Sequence, residues 1–370
     1  MKITSCTLYH LRMKLRTPFE TSFGRIQTRD SILIEAHANG LIGYGECVAD
    51  RDPGYSYETT HTAWHILRDF LIPAITNQEV ETPYDLQQRI DFVRGHPMAK
   101  AGLEMAFWDL LGKRQGRSLS ELLGGVRQRV EVGVSVGIQE SPATLTKVVD
   151  DYMAQGYRRI KIKIKPGRDV AEVQAVRRAF PDIRLQVDAN SAYTLETAGS
   201  LKPLDEMALL LIEQPLAEDD LWDHRLLQAQ MATPICLDES ILSERHARQA
   251  LEMGACKIIN IKAGRVGGLS QAVAIHDLCQ SRGVPVWCGG MLETGVGRAS
   301  NLALSSLPGF ALPGDVSASD RYYEEDITQQ RFTLNPDSTI DVPVGHGLGI
   351  AIDPVALQHA TLAQEVIHCT

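Results

Sequence analysis

The feature that leaves fewest folds open is a charge repeated at the ends of apolar runs. Ile160-Lys161-Ile162-Lys163, Leu185-Gln186-Val187-Asp188, Leu209-Leu210-Leu211-Ile212-Glu213, Pro234-Ile235-Cys236-Leu237-Asp238 and Ile258-Ile259-Asn260-Ile261-Lys262 follow one another, and each finishes on an ionisable residue. Lys163, Asp188, Glu213 and Asp238 are 25 residues apart, and Lys262 lies 24 further on. A helical stretch follows each run. That stride holds one strand, one helix and two loops, the repeat of a parallel β/α barrel whose strand C-termini meet at one mouth. With Lys163 closing the second strand, Lys262 closes the sixth, on the opposite side of an eight-strand ring. The repeat thus predicts two lysines facing each other across a cavity, with three acids on the arc between them. Solvated strand ends are the plain alternative, but five in register are hard to obtain from surface charge alone.

The chain has 370 residues, enough for a barrel of roughly 250 residues or fewer plus a second domain. Its net charge of −9 argues against nucleic acid and anionic membrane as partners. The N-terminal residues contain no apolar core of signal-peptide length, and no run reaches the roughly 18 apolar residues of a membrane span. The seven cysteines are scattered without a Cys-x-x-Cys pair, as thiols of a reducing, cytoplasmic compartment would be. A homo-oligomer is left open.

Ser31–Ala36 and Ile42–Glu46 read as arms of a meander joined at Ala38-Asn39-Gly40. Thr17–Gly24 is either a plain connection with its aromatics packed on the sheet or a mobile lid that brings Phe19 or Phe23 over a ligand. Asp50–Tyr57 is a second polar loop of that kind. Helical periodicity begins at Glu58. His61 and His65 are four apart but have no acid between them and no third histidine nearby, so they read as solvated helix residues. Ala99–Lys113 is a strongly apolar helix, and Gly124-Gly125 marks a boundary. An α+β capping domain then occupies residues 1–125, completed by about 320–370, and the barrel occupies 126–319. Val130–Gly137 opens the barrel with Ser135 near its end, and Val284–Cys288 is its seventh strand. The loop Gly289–Gly295 leads into a helix near Thr294, better suited to ligand-facing amides than to a nucleotide phosphate. Phe310–Asp315 is a short eighth strand or its remnant.

Asp188, Glu213 and Asp238 offer oxygen ligands alone, which suits Mg²⁺, with Mn²⁺ as the alternative, and counts against zinc. Asn190 and Glu239 stand beside them as supporting residues. A lysine base at neutral pH needs its pKa brought from about 10.4 towards 7 or 8, on the order of 4 kcal/mol. The metal and Lys161, two residues before Lys163 on the same strand face, supply the positive charge for that shift. One lysine then abstracts a proton α to a carboxylate. A second lysine on the opposite face either returns a proton, giving racemisation, or stabilises the intermediate as a cation while the first protonates a leaving hydroxyl, giving syn elimination.

Gly156–Gly167, Gln186–Asn190, Ile212–Leu216, Cys236–Ser240 and Pro285–Gly295 together resemble the enolase superfamily. Within it they are similar to the muconate-lactonizing subgroup that holds o-succinylbenzoate synthases and N-succinylamino acid racemases. The likeness covers nearly the whole chain. It implies a (β/α)7β modified TIM barrel with an α+β N-terminal capping domain, in the α/β class. It also implies Lys163 and Lys262 as the acid/base pair and Asp188, Glu213 and Asp238 as Mg²⁺ ligands. Ser135, Gly290, Met291 and Leu292 would line the succinyl end, and Phe19 would cap it. Arg265 matches an arginine that accompanies racemase activity, and Ala263 departs from a frequent proline. The substrate implied is a small carboxylate, 2-succinyl-6-hydroxy-2,4-cyclohexadiene-1-carboxylate of menaquinone synthesis, alongside N-succinylamino acids. Dipeptide epimerisation and muconate-type cycloisomerisation use the same machinery. Asp315-Val316-Ser317 lacks the second acid with which dipeptide epimerases hold an ammonium. A non-catalytic barrel would leave the lysine pair without purpose.

Overall fold

The computed structural model describes residues 1–368. Strand β1 (Ile3–Thr21) pairs antiparallel with β2 (Gly24–Ala38), which pairs with β3 (Leu41–Cys47). The β2–β3 turn falls on Asn39-Gly40 at φ 52° and 76°, the left-handed pair that lets a two-residue hairpin follow the strand twist. Thr17–Gly24 is not a separate connection. β1 runs on to Thr21, so this stretch is the far end of a long hairpin whose register slips between Lys14 and Phe19.

β3 lies against helix Pro97–Gln115 almost backbone to backbone. A Cβ at Gly45 would come within 2.0 Å of the Gly102 carbonyl, and one at Gly43 within 2.3 Å of that of Ala106. The approach lets Asp109 on the helix accept the Tyr44 N–H at 2.8 Å. Glu58 caps the helix start, accepting from Met98 N–H at 2.8 Å and Ala99 N–H at 3.1 Å, donors the helix cannot pair internally. His65 pairs with Asp69 at 2.6 Å, and His61 packs edge-on against His10.

Val130–Gly137 proves to be two strands rather than one. β4 (Arg129–Glu131) pairs antiparallel with Thr339–Asp341, and only β5 (Val134–Val136) enters the barrel sheet. The break falls at Gly133, where the Arg159 guanidinium passes so close that a Cβ would lie 2.3 Å from it. The sheet continues in parallel through β6 (Arg159–Lys163), β7 (Arg184–Asp188), β8 (Ile212–Glu213), β9 (Ile235–Leu237), β10 (Ile258–Ile261) and β11 (Val286–Cys288), in that order. Phe310–Asp315 joins its two edges by single bridges, Phe310 to Val286 and Gly314 to Val132. Pro313 has no N–H to give a longer ladder. The segment β12 (Thr339–Asp341) thus braces β4, and β13 (Thr361–His368) returns to pair with β1. Among the described residues no helix is long and apolar enough to cross a membrane.

Candidate active site

Parallel pairing brings the charged strand ends to one edge. Lys163, Asp188 and Glu213 share a rung of β6, β7 and β8. Glu213 pairs with Cys236, so Asp238 stands two residues beyond that rung, and Lys262 follows the last residue of β10. Strand alternation puts Lys161 on the face of Lys163. The two end lysines are four strands apart in the sheet and line one cavity of about 270 Å³.

Lys163 Nζ donates to Asp188 Oδ2 and Asn190 Oδ1, both at 2.6 Å. Lys161 is buried among Asp315 at 2.6 Å, Glu213 at 2.8 Å and Asp188 at 3.1 Å. Lys262 Nζ donates to Asp238 Oδ2 at 2.7 Å and to the Tyr55 hydroxyl at 3.0 Å. Arg265 also pairs with Asp238 and donates to the Ile241 carbonyl at 2.8 Å. Asn190 links the acids, taking the Asp188 carboxylate on its backbone N–H at 3.0 Å and donating to Glu239 at 2.8 Å. Phe19, Ser135, Gly290, Met291 and Leu292 line the cavity with the lysines, and Asp188, Glu213 and Asp238 are buried beneath its floor. Glu239 and Arg265 face a neighbouring cavity instead.

The electrostatics follow from packing five acids and five cations into one largely buried region. Burial raises the Asp188 carboxyl, but the Lys163 and Lys161 ammoniums outweigh it and leave it at about 2. Asp238 is likewise held low, by Lys262 and Arg265 against its burial. Glu213 goes the other way, pushed well up by burial and by the Asp188 charge, and Glu239 rises to about 8 for the same reasons, with Asp238 beside it. Burial depresses the Lys262 ammonium, yet Asp238 and Tyr55 outweigh burial and hold it above its ordinary range.

Among the described residues no group of three His, Cys, Asp or Glu side chains is arranged as a formed metal cage. Each predicted ligand is instead turned to a lysine or arginine. The donor set still fits a hard divalent cation. It is buried and all oxygen, and the repulsion of Glu213 by Asp188 and Asp238 is what positive charge among them relieves.

Several site groups escape sequence reasoning. Tyr55 lies in a loop noted only as polar, and its hydroxyl donates to Asp238 at 3.0 Å. Asp315 is fixed between Lys161 and Arg159, the latter at 2.7 Å. Asn260 donates to Glu213 at 2.7 Å from inside a strand run. Its position two before Lys262 was the available signal. The loop Gly289–Gly295 also differs from its phosphate-holding alternative. Glu46 of β3 occupies the start of helix Gly295–Ser305, accepting from Thr294 and Gly297 N–H at 3.1 and 3.0 Å.

Known proteins match this chain along its whole length. The family described as mandelate racemase / muconate lactonizing enzyme, N-terminal domain, matches residues 3–124, and the enolase C-terminal domain-like family matches 144–356. An o-succinylbenzoate synthase of Geobacillus stearothermophilus is 52% identical over 98% of this chain and 97% of its own. An N-succinylamino acid racemase of Thermus thermophilus is 47% identical over 98% of each. The crystal structure of an enolase-superfamily member from Listeria innocua superimposes with a TM-score of 0.96 at 41% identity, covering 100% of this chain and 99% of that one. With both family regions and near-complete coverage at such identity, the chain belongs to the enolase superfamily, in the mandelate racemase / muconate lactonizing enzyme group.

Proposed function

We propose that the chain is a Mg²⁺-dependent o-succinylbenzoate synthase that also racemises N-succinylamino acids. The observation that carries this is the pair of amines, Lys163 and Lys262, lining one cavity from strands four apart above three buried carboxylates. Relatives with near-complete coverage carry both names. Lys163 abstracts the proton α to the substrate carboxylate, with Asp188 and Asn190 aiming its amine. Enzymes of the superfamily generally use Mg²⁺. Asp188, Glu213 and Asp238 would hold it here, and it would supply positive charge for the oxygens of the enediolate.

In dehydration Lys163 hands its proton to the leaving hydroxyl on the same face, while Lys262 stays a cation between Asp238 and Tyr55. In racemisation Lys262 delivers a proton on the opposite face. Lys161, pinned by three carboxylates, remains a fixed positive charge behind Lys163. Ser135, Gly290, Met291 and Leu292 surround the succinyl arm, Phe19 covers it, and Arg265 steadies Asp238 beneath Lys262. The domain division that goes with this reading is a cap of residues 1–125, completed by about 320–368, over a barrel of 126–319, with residues 369 and 370 outside the described residues. The synthase reaction belongs to menaquinone synthesis, in a reducing cytoplasm that leaves the buried thiols free.

Dipeptide epimerisation is less well served. Asp315 is neutralised by Lys161 and Arg159, Asp50 pairs with Arg29, Asp52 with the neighbouring Arg51, and Glu58 accepts from backbone N–H groups, so among the described cavity residues no carboxylate is without a partner to await an ammonium. The test is the rate of 2-succinyl-6-hydroxy-2,4-cyclohexadiene-1-carboxylate dehydration with Mg²⁺ and with chelator, beside loss of optical rotation of an N-succinylamino acid. Metal-dependent turnover of both, abolished in Lys163→Ala, is expected. Turnover of neither by the unaltered chain rejects the substrate assignment.

A further inference from the structure

Lys163 and Lys262 are aimed by different parts of the molecule. Both acceptors of Lys163, Asp188 and Asn190, belong to the barrel. Lys262 takes one acceptor from the barrel, Asp238, and the other from the capping side, the Tyr55 hydroxyl. We infer that Tyr55 is a positioning residue for Lys262, so that proton transfer on the Lys262 face depends on the Tyr55 hydroxyl and transfer on the Lys163 face, whose acceptor Asn190 meets the cap only through its backbone carbonyl and Ser22, does not. The inference rests on the two-lysine chemistry proposed above.

The loop that carries Tyr55 is tied down at its start. Asp50 pairs with Arg29 at 3.0 Å, and its carbonyl accepts the Thr60 N–H at 2.7 Å. The Tyr55 ring meets the ring of Phe23, at the tip of the β1–β2 hairpin, edge to face with centroids 6.3 Å apart. Hairpin and loop therefore converge on one side chain. Its hydroxyl accepts from Lys262 Nζ and donates to Asp238 Oδ1, both at 3.0 Å, so its single proton has one destination. The ammonium also lies 4.7 Å from the ring centroid. A lysine amine sits on a flexible four-carbon stem, and two fixed acceptors confine it where one would let it swing. A misplacement of about 1 Å costs on the order of a hundredfold in rate.

Tyr55→Phe removes the hydroxyl and keeps the ring, with its Phe23 and ammonium contacts. The measurement is the initial rate of α-proton exchange into D₂O from each enantiomer of an N-succinylamino acid, at saturating substrate. Mg²⁺ is titrated to saturation for each protein, which separates a weakened metal site from a misplaced amine. Lys262→Ala identifies the enantiomer whose proton faces Lys262. In Tyr55→Phe that enantiomer should lose at least about tenfold in rate, and the other less than about threefold. Equal losses on both faces, or no loss on the Lys262 face, overturn the inference and leave the functional proposal standing. Failure of the unaltered chain to exchange either enantiomer overturns the functional proposal, and the inference with it.

Discussion

Lys161 and Lys163 are two residues apart on one strand face, yet they are held for different work. Lys161 is 3% exposed and touches three carboxylates, which hold its ammonium well above the ordinary lysine range despite burial. Lys163 reaches the cavity with one carboxylate and one amide. Replacing Lys161 by Met leaves the buried Glu213 with no cation and only the Asn260 amide, takes one of two cations from Asp188 and from Asp315, and should cost about 3–5 kcal/mol, the scale of a broken buried pair. Lys163→Ala leaves Asp188 its contact with Lys161 and should cost about 1 kcal/mol or less while abolishing turnover. Urea midpoints of the two variants check this, and equal losses would contradict it. The sequence supplies the spacing of these lysines and the acids beside them, since all lie on one stride. It withholds Asp315, which meets Lys161 only because a distant segment closes the barrel seam.

The cap and barrel elements are joined by carboxylates at helix starts. Glu46 of β3 sits at the start of helix Gly295–Ser305, and Glu104 of helix Pro97–Gln115 at that of helix Leu269–Ser281, where it accepts the Ser270 N–H at 3.3 Å. Gly268 makes the second junction fit. Its φ is 126°, and a Cβ there would lie 1.9 Å from the Glu104 carboxylate. Gly254, also left-handed at φ 71°, has open space around it. Gly254→Ala should therefore cost about 1 kcal/mol for backbone strain, and Gly268→Ala more than about 3 kcal/mol, because strain and overlap add. Thermal midpoints decide, and comparable losses would remove the claimed role of the junction. Neither junction is legible locally, because an acid capping a helix hundreds of residues away leaves no periodic trace. The hairpin turn at Asn39-Gly40 is legible because it needs only its own two residues. Val130–Gly137 misleads for the opposite reason. Its alternation is unbroken, and the split comes from Arg159 crossing at Gly133.

At the scale of the whole molecule, the same carboxylates give stability a pH dependence. Burial raises both Glu46 and Glu104 from 4.5 to about 7. Between those values the folded chain binds more protons than the unfolded one. Their contribution is full below about 4.5 and is lost as pH rises through about 7. The double variant Glu46→Gln, Glu104→Gln should show a smaller fall in urea midpoint between about pH 5 and 7.5 than the parent, and an unchanged fall would refute the assignment. Global architecture is legible because the barrel repeats, and five charged strand ends on one edge fix which face is the mouth, although only Lys163, Asp188 and Glu213 share a rung. The central claim is that two lysines address opposite faces of one carbon. Enantiomer-resolved deuterium exchange in Lys163→Ala and Lys262→Ala tests it most directly. Each variant should lose exchange from one enantiomer and keep it from the other, in complementary fashion. Loss of the same enantiomer in both, or of neither, would contradict the two-face site.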